Sequence, residues 1–189
     1  MSYRRGFKTE ANSLATEVRA ELRLSSTDPL DVWRLAEHLA IPIEPLSSYK
    51  ATAPNAVRFL TEIDTAVFSA VTVFRGSRRL IVHNDAHAPG RRVSNVAHEL
   101  SHGLLLHPPT PALDANGCRL WNQTVEDEAT WLAGCLLIPE DAAVVVARRG
   151  LTLSEAAAQF QVTPSMVSYR LNVTGARLRV ARARQWRTL

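Results

Sequence analysis

The sequence predicts an α+β fold: mostly helical, with a small antiparallel sheet in the first half and a helix-turn-helix-like hairpin near the C-terminus. Three observations predict it. Apolar residues recur at helical spacing both before residue 40 and beyond residue 90, while Val, Phe and Ile concentrate between residues 56 and 83. A short break at Gln161-Val162-Thr163 then divides two helical stripes.

In chain order, Phe7 to Leu24 carries a stripe of Phe7, Ala11, Leu14, Ala15, Val18 and Leu22 and reads as a helix. Asp28-Pro29 looks like the start of a second helix, with Asp28 as cap and Pro29 in the first turn, and Pro42 and Pro45 end it. Ala56 to Leu60, Ala66 to Phe74 and Leu80 to His83 read as strands, with Arg75-Gly76-Ser77-Arg78 as a hairpin turn. A helix follows from about Arg91 to His107, stopped by Pro108-Pro109. Thr110 to Asn122 is a Pro- and Gly-containing loop placed to border a cleft, and a helix from Thr124 to Leu137 opens with Asp127 in a capping-box arrangement. Pro139 to Arg149, ended by Gly150, is the next helix.

Composition excludes several classes. An apolar fraction of 46% with 21% charged residues is ordinary for a globular protein, and 189 residues suffice for one good core. No apolar run approaches the roughly 20 residues needed to span a bilayer. Met1 to Glu10 lacks the apolar stretch of a signal peptide, so a cytoplasmic protein is expected. Two cysteines, Cys118 and Cys135, make no disulfide framework and belong to no closely spaced Cys/His set. The net charge of +4 hides an asymmetry: six Arg and no acid follow Glu155. Such an end suits nucleic acid or an acidic partner, and equally a solvated tail.

Chemistry concentrates in Val96-Ala97-His98-Glu99-Leu100-Ser101-His102-Gly103. On a helix, His98 and His102 leave one face a turn apart and can share a metal ion. Val93, Val96, Ala97, Leu100, Leu104 and Leu105 make this a core helix, where histidines are costly without partners. Glu99 is the natural general base, since a carboxylate beside the first ligand can take a proton from attacking water and pass it to a leaving amine. His107 is set aside as a ligand, because the extended metalloprotease pattern places its third His six residues after the second and here the gap is five. His83 and His87 are better suited to a loop or strand end than to the cleft, and His38 to the surface.

Two histidines need a third protein ligand, and His2Glu is a known catalytic set. Glu126 and Glu128 are the candidates. Val125, Ala129, Leu132 and Leu136 form the main apolar stripe of their helix, and Glu126 adjoins it with Thr130, Ala133 and Leu137. Glu128 points nearly the opposite way, so the helical wheel favours Glu126. In the C-terminal hairpin, Ser165, Ser168 and Arg170 are the few polar groups the second helix could offer to DNA. That is too little for a basic recognition face, so DNA binding is not favoured.

Taken together these residues resemble the ImmA/IrrE family of bacterial and phage metallopeptidases. The resemblance rests on the His98-Glu99-Leu100-Ser101-His102 helix after a small sheet, on Glu126-Asp127-Glu128-Ala129, on Leu136-Leu137-Ile138-Pro139, and on the hairpin turning at Phe160-Gln161-Val162-Thr163 with Ser168-Tyr169-Arg170-Leu171 on its second helix. It covers most of Phe7 to Gly175. It implies a zincin-like metallopeptidase core, with His98, His102 and Glu126 as metal ligands and Glu99 as catalytic base. One departure stands out: Thr130 occupies a position where the family carries Asn or Asp.

The resemblance also implies a target, since members cleave helix-turn-helix repressors and some sit in toxin and antitoxin arrangements. The expectation is therefore a zinc endopeptidase, with manganese accepted by the same donors, acting on a repressor or antitoxin protein. Residues 1–150 would form the metallopeptidase domain, 151–175 a hairpin packed on it, and 176–189 a basic Arg-rich tail. The rival reading is a non-proteolytic regulator or toxin-antitoxin component with a vestigial metal site, binding a repressor or DNA.

Overall fold

The computed structural model describes residues 3–76, 78–108 and 122–185. The expected Thr110–Asn122 loop lies, apart from Asn122, outside the described residues, as do Ser77, Pro109, Cys118 and Arg187. The first helix, α1 (Phe7–Glu21), buries Phe7, Ala11, Ala15 and Val18, the predicted stripe. The second, α2 (Val32–His38), starts later than expected, capped by Asp31, whose Oδ1 accepts from the Trp33 and Arg34 amides at 2.9 and 3.2 Å. Asp28 instead closes a turn by accepting from the Ser25 amide at 2.7 Å. A local hydrogen bond upstream has taken it out of the capping role.

The sheet is α+β in character but mixed rather than antiparallel. Strand β1 (Ile43–Pro45) lies parallel to β3 (Arg78–His83), and β2 (Ala70–Arg75) pairs antiparallel on the other side, giving the order β1-β3-β2. Pro45, read from sequence as a helix stop, pairs with His83 at the sheet edge, where a missing N–H is tolerated. The segment 56–60 is not a strand. It belongs to α3 (Pro54–Arg58), which continues into a π-helical turn at Phe59–Ile63. Pro54 favours a helix start, and one-turn spacing lets Val57 and Leu60 join Leu46, Val82, Phe68 and Leu80 in a small cluster. Packing on one face of the sheet thus overrides β propensity.

The other face of the sheet meets α4 (Pro89–Leu104), which ends earlier than predicted, before Pro108, as the chain turns through Leu106 at φ 53°. Helix α5 (Gln123–Leu137) packs on α4 and α1 and is capped by Asn122 rather than by Thr124, Asn122 Oδ1 accepting from the Thr124 and Val125 amides. Helices α6 (Glu140–Arg149), α7 (Leu153–Phe160), α8 (Pro164–Val173) and α9 (Ala176–Gln185) complete the described chain. Phe160, Val162, Val167 and Leu171 of the α7–α8 hairpin share one apolar core with Phe7, Leu35, Val96 and Leu136. Glycine matters at one junction: a Cβ on Gly90 would stand 2.7 Å from the Val162 carbonyl carbon, so the start of α4 touches the hairpin turn backbone to backbone. Among the described residues no single helix is long and apolar enough to cross a membrane.

Candidate metal centre

Helix α4 buries Val93, Val96, Ala97 and Leu100, which fixes its rotation and sends His98, Glu99 and His102 toward α5 and the sheet. Across from them, the first turn of α5 supplies Glu126. His98 Nε2 lies 3.1 Å from His102 Nε2 and 3.1 Å from Glu126 Oε2, and His102 Nε2 lies 3.9 Å from Glu126 Oε1. One donor atom from each falls within 4.8 Å of the others. Ligands on a tetrahedral zinc at about 2.0–2.1 Å stand about 3.4 Å apart, so this donor set fits such an ion. Both histidines offer Nε2, which frees each Nδ1 for another partner. Thr130 Oγ1 stands 3.4 Å from Nδ1 of His98, a long contact for the position where the family carries an amide or carboxylate.

Burial pulls the His102 pKa down to about 4, helped by neighbouring His98 and opposed by Glu126. The ring is therefore neutral at pH 7, the form a metal requires. Glu99 is shifted upward, chiefly by burial, against the Thr72 hydrogen bond and the neighbouring His98. Thr72 Oγ1 donates to Glu99 Oε2 at 2.6 Å. Thr72 thereby holds one carboxylate oxygen in place, and an upward shift brings a base closer to neutrality. A cleft of about 290 Å³ is lined by Ser69, Ala70, Asn95, His98, Glu99, Gln123, Glu126, Asp127 and Thr130.

The remaining candidates fall elsewhere. Glu128 is directed away from the His98–Glu126 pair, toward His107, and Arg4 approaches its Oε1. His107 Nδ1 lies 2.9 Å from His102 Nδ1, on the side of that ring away from the converging Nε2 atoms. His87 serves the backbone, its Nε2 donating to the Thr65 carbonyl at 2.7 Å while Nδ1 accepts from Asn95 at 3.1 Å. His83 ends β3, and His38 pairs with Glu21 at 2.8 Å on the surface. Arg170, considered for DNA contact, is 1% exposed and donates to the Ile138 carbonyl at 2.8 Å.

Sequence reasoning missed two groups. Thr72 could have been found from strand alternation, because Ala70, Thr72 and Phe74 share the face of β2 turned from solvent. The inward position of Glu128 could not. Helix α5 is enclosed on several sides, and Asp127 and Glu128 are both buried despite standing off the main apolar stripe.

No curated protein and no solved structure matches the chain. The family model for the IrrE N-terminal-like domain, a peptidase family, matches residues 55–172, more than half of the 189. That span holds the sheet's two longer strands, helices α4 and α5 and the hairpin as far as Asn172, and on this match the chain belongs to the IrrE N-terminal-like peptidase family.

Proposed function

We propose that the protein is a zinc-dependent endopeptidase that cuts a protein partner, a helix-turn-helix repressor or related antitoxin, in the cytoplasm. The observation that carries the reading is the convergence of two imidazole Nε2 atoms and one carboxylate beside the second, hydrogen-bonded carboxylate of Glu99. His98, His102 and Glu126 would hold the ion, which when bound supplies a Lewis acid for the scissile carbonyl and makes water acidic enough to ionise near pH 7. Manganese suits the same donors. Glu99, anchored through Oε2 by Thr72, takes a proton from the attacking water on its other oxygen and returns it to the departing amine.

Two features support a protein substrate. Strand β2 lies at one edge of the sheet beside Glu99, and among the described residues nothing pairs with its outer edge. An extended peptide could add there as a further strand, with backbone hydrogen bonds drawing its scissile bond to the cleft. The repressor class is supported by the resemblance to the ImmA/IrrE peptidases.

The test is metal content followed by proteolysis. Elemental analysis should find about one zinc per chain in wild type and in Glu99→Gln. His102→Ala and Glu126→Ala should lose it, and Glu128→Ala should retain a measurable fraction. Wild type, freed of zinc and reloaded with zinc or manganese, is then incubated with helix-turn-helix proteins and the fragments mass-measured. A wild-type protein that takes up neither metal sinks the reading.

A further inference from the structure

Beyond the three converging ligands, a second line of polar side chains runs behind His102. His102 Nδ1 meets His107 Nδ1 at 2.9 Å, and His107 Nε2 meets Glu128 Oε2 at 3.4 Å. Arg4 Nε stands 3.4 Å from the other oxygen of Glu128. His107 and Glu128 are 9% and 7% exposed, so the pair is enclosed by protein. Resting on the metallopeptidase reading above, we infer that Glu128 and His107 are positioning residues that fix the ring orientation and tautomer of His102.

The inference follows from hydrogen-bond inventory. A histidine that offers Nε2 to a metal carries its proton on Nδ1 and must donate it. Among the described residues the group within hydrogen-bond reach of His102 Nδ1 is His107 Nδ1, which must then accept. His107 accordingly carries its own proton on Nε2, directed at Glu128 Oε2. The carboxylate thus sets one tautomer, and that tautomer sets the next.

The backbone is shaped to the same end. Leu106 takes a left-handed conformation at φ 53°, and the chain doubles back so that the His107 amide donates to the His102 carbonyl at 3.0 Å. The two histidines are therefore linked through both main chain and ring. Glu128 is delivered from the other side by α5, two residues beyond Glu126, so one helix turn supplies both the cleft carboxylate and the carboxylate behind the second histidine. The contrast with His98 is direct: among the described residues its Nδ1 has only the 3.4 Å contact with Thr130.

The experiment measures zinc affinity by competition with a chromophoric chelator, together with ¹H–¹⁵N imidazole spectra of zinc-loaded protein. His107→Ala should weaken zinc binding about 10- to 100-fold and abolish the slowly exchanging His102 Nδ1 proton signal. His107→Asn, whose carbonyl oxygen can stand where the His107 Nδ1 stood, should recover most of the affinity and the signal. Glu128→Gln should weaken binding less than His107→Ala, and it serves as the second probe if His107→Ala fails to fold in metal-free thermal melts. Wild-type affinity in His107→Ala, or an equal loss in His107→Asn, overturns the inference while leaving the metal site standing. No zinc bound by wild type removes both.

Discussion

The two ends of α5 are built for opposite purposes. At its N-terminal end the helix presents Glu126 and Thr130 across a cleft to His98, and this part of the surface stays open to solvent. At its C-terminal end Gly134 allows α8 so close that a Cβ there would stand 2.8 Å from Arg170 Cδ and 3.1 Å from Tyr169 Cε1. Two buried guanidinium groups finish that end: Arg19 Nη1 donates to the Leu136 carbonyl at 2.7 Å and Arg170 Nε to the Ile138 carbonyl at 2.8 Å. Carboxylates at the start and cations at the finish both suit the helix dipole. What differs is solvent: the groups of the first turns line a cleft, while the two arginines at the other end are enclosed and each donates to a backbone carbonyl.

The largest effect that tests this contrast lies at the open end. Glu99→Gln should cut peptide hydrolysis about 10²- to 10⁴-fold, the usual worth of a positioned base, with zinc content unchanged. Because burial disfavours the charged form of Glu99, the same variant should melt no lower than wild type, and higher if the penalty is fully relieved. A large drop in melting temperature would instead make Glu99 a structural residue and erase the distinction between the two ends.

pH supplies the next test. His102 has its pKa lowered from 6.5 to about 4, so the unfolded chain binds more protons in that window and metal-free stability falls as pH drops through it. The contribution is complete above about 6.5 and reaches at most about 3 kcal/mol. Glu99 acts with the opposite sign: its raised pKa means that the folded state binds the extra proton, and stability falls as pH rises above the ordinary carboxylate range. The two partly cancel in wild type. Chelator-treated Glu99→Gln, unfolded by urea between pH 7 and pH 4, should therefore lose stability more steeply on acidification than wild type; equal slopes would refute the assignment.

At the closed end the cost should be in folding alone, because Arg170 does not line the cleft. Arg170→Met keeps the aliphatic packing beside Trp131 but leaves the Ile138 carbonyl without its buried donor, for about 1–3 kcal/mol of stability by urea unfolding. Zinc content per folded chain should stay at the wild-type value. A variant that folds normally but binds no zinc would show that the closed end reaches into the site.

Legibility from sequence follows the same division. The convergence of His98 and His102 on one side of α4 could be read because a four-residue spacing puts them on one helix face, and the α1 stripe because only one side of that helix is buried. Failures occurred where tertiary context outweighed local pattern. Segment 56–60 has strand-like composition yet coils over the sheet, and Pro45 pairs at an edge that no local rule reveals. The wheel that favoured Glu126 assumed one buried face, whereas α5 is enclosed by α1, α4 and α8 and buries Glu128 more deeply than Glu126. The contact of Arg4 with Glu128 joins distant segments by packing and leaves no trace in spacing, whereas that of Thr72 with Glu99 shows only as the inward side of a strand alternation.

The smallest predicted effect asks how far the open end is tuned. Among the described residues Nδ1 of His98 has only the 3.4 Å contact with Thr130, a weak restraint beside the 2.9 Å contact that His102 makes with His107. A ligand ring free to rotate loses entropy on binding metal, and a firmer partner removes part of that loss beforehand. Thr130→Asn carries the carbonyl acceptor farther from the helix backbone, where it can take the Nδ1 proton at normal length. Zinc should bind severalfold tighter, by about 1 kcal/mol, the worth of one added hydrogen bond. Because Thr130 is half-buried and its neighbours line the cleft, the longer side chain has room to reach the ring without displacing the core. Unchanged affinity with an unchanged melting temperature would mean that His98 is already held by its own helix, and that only the second histidine depends on partners behind it.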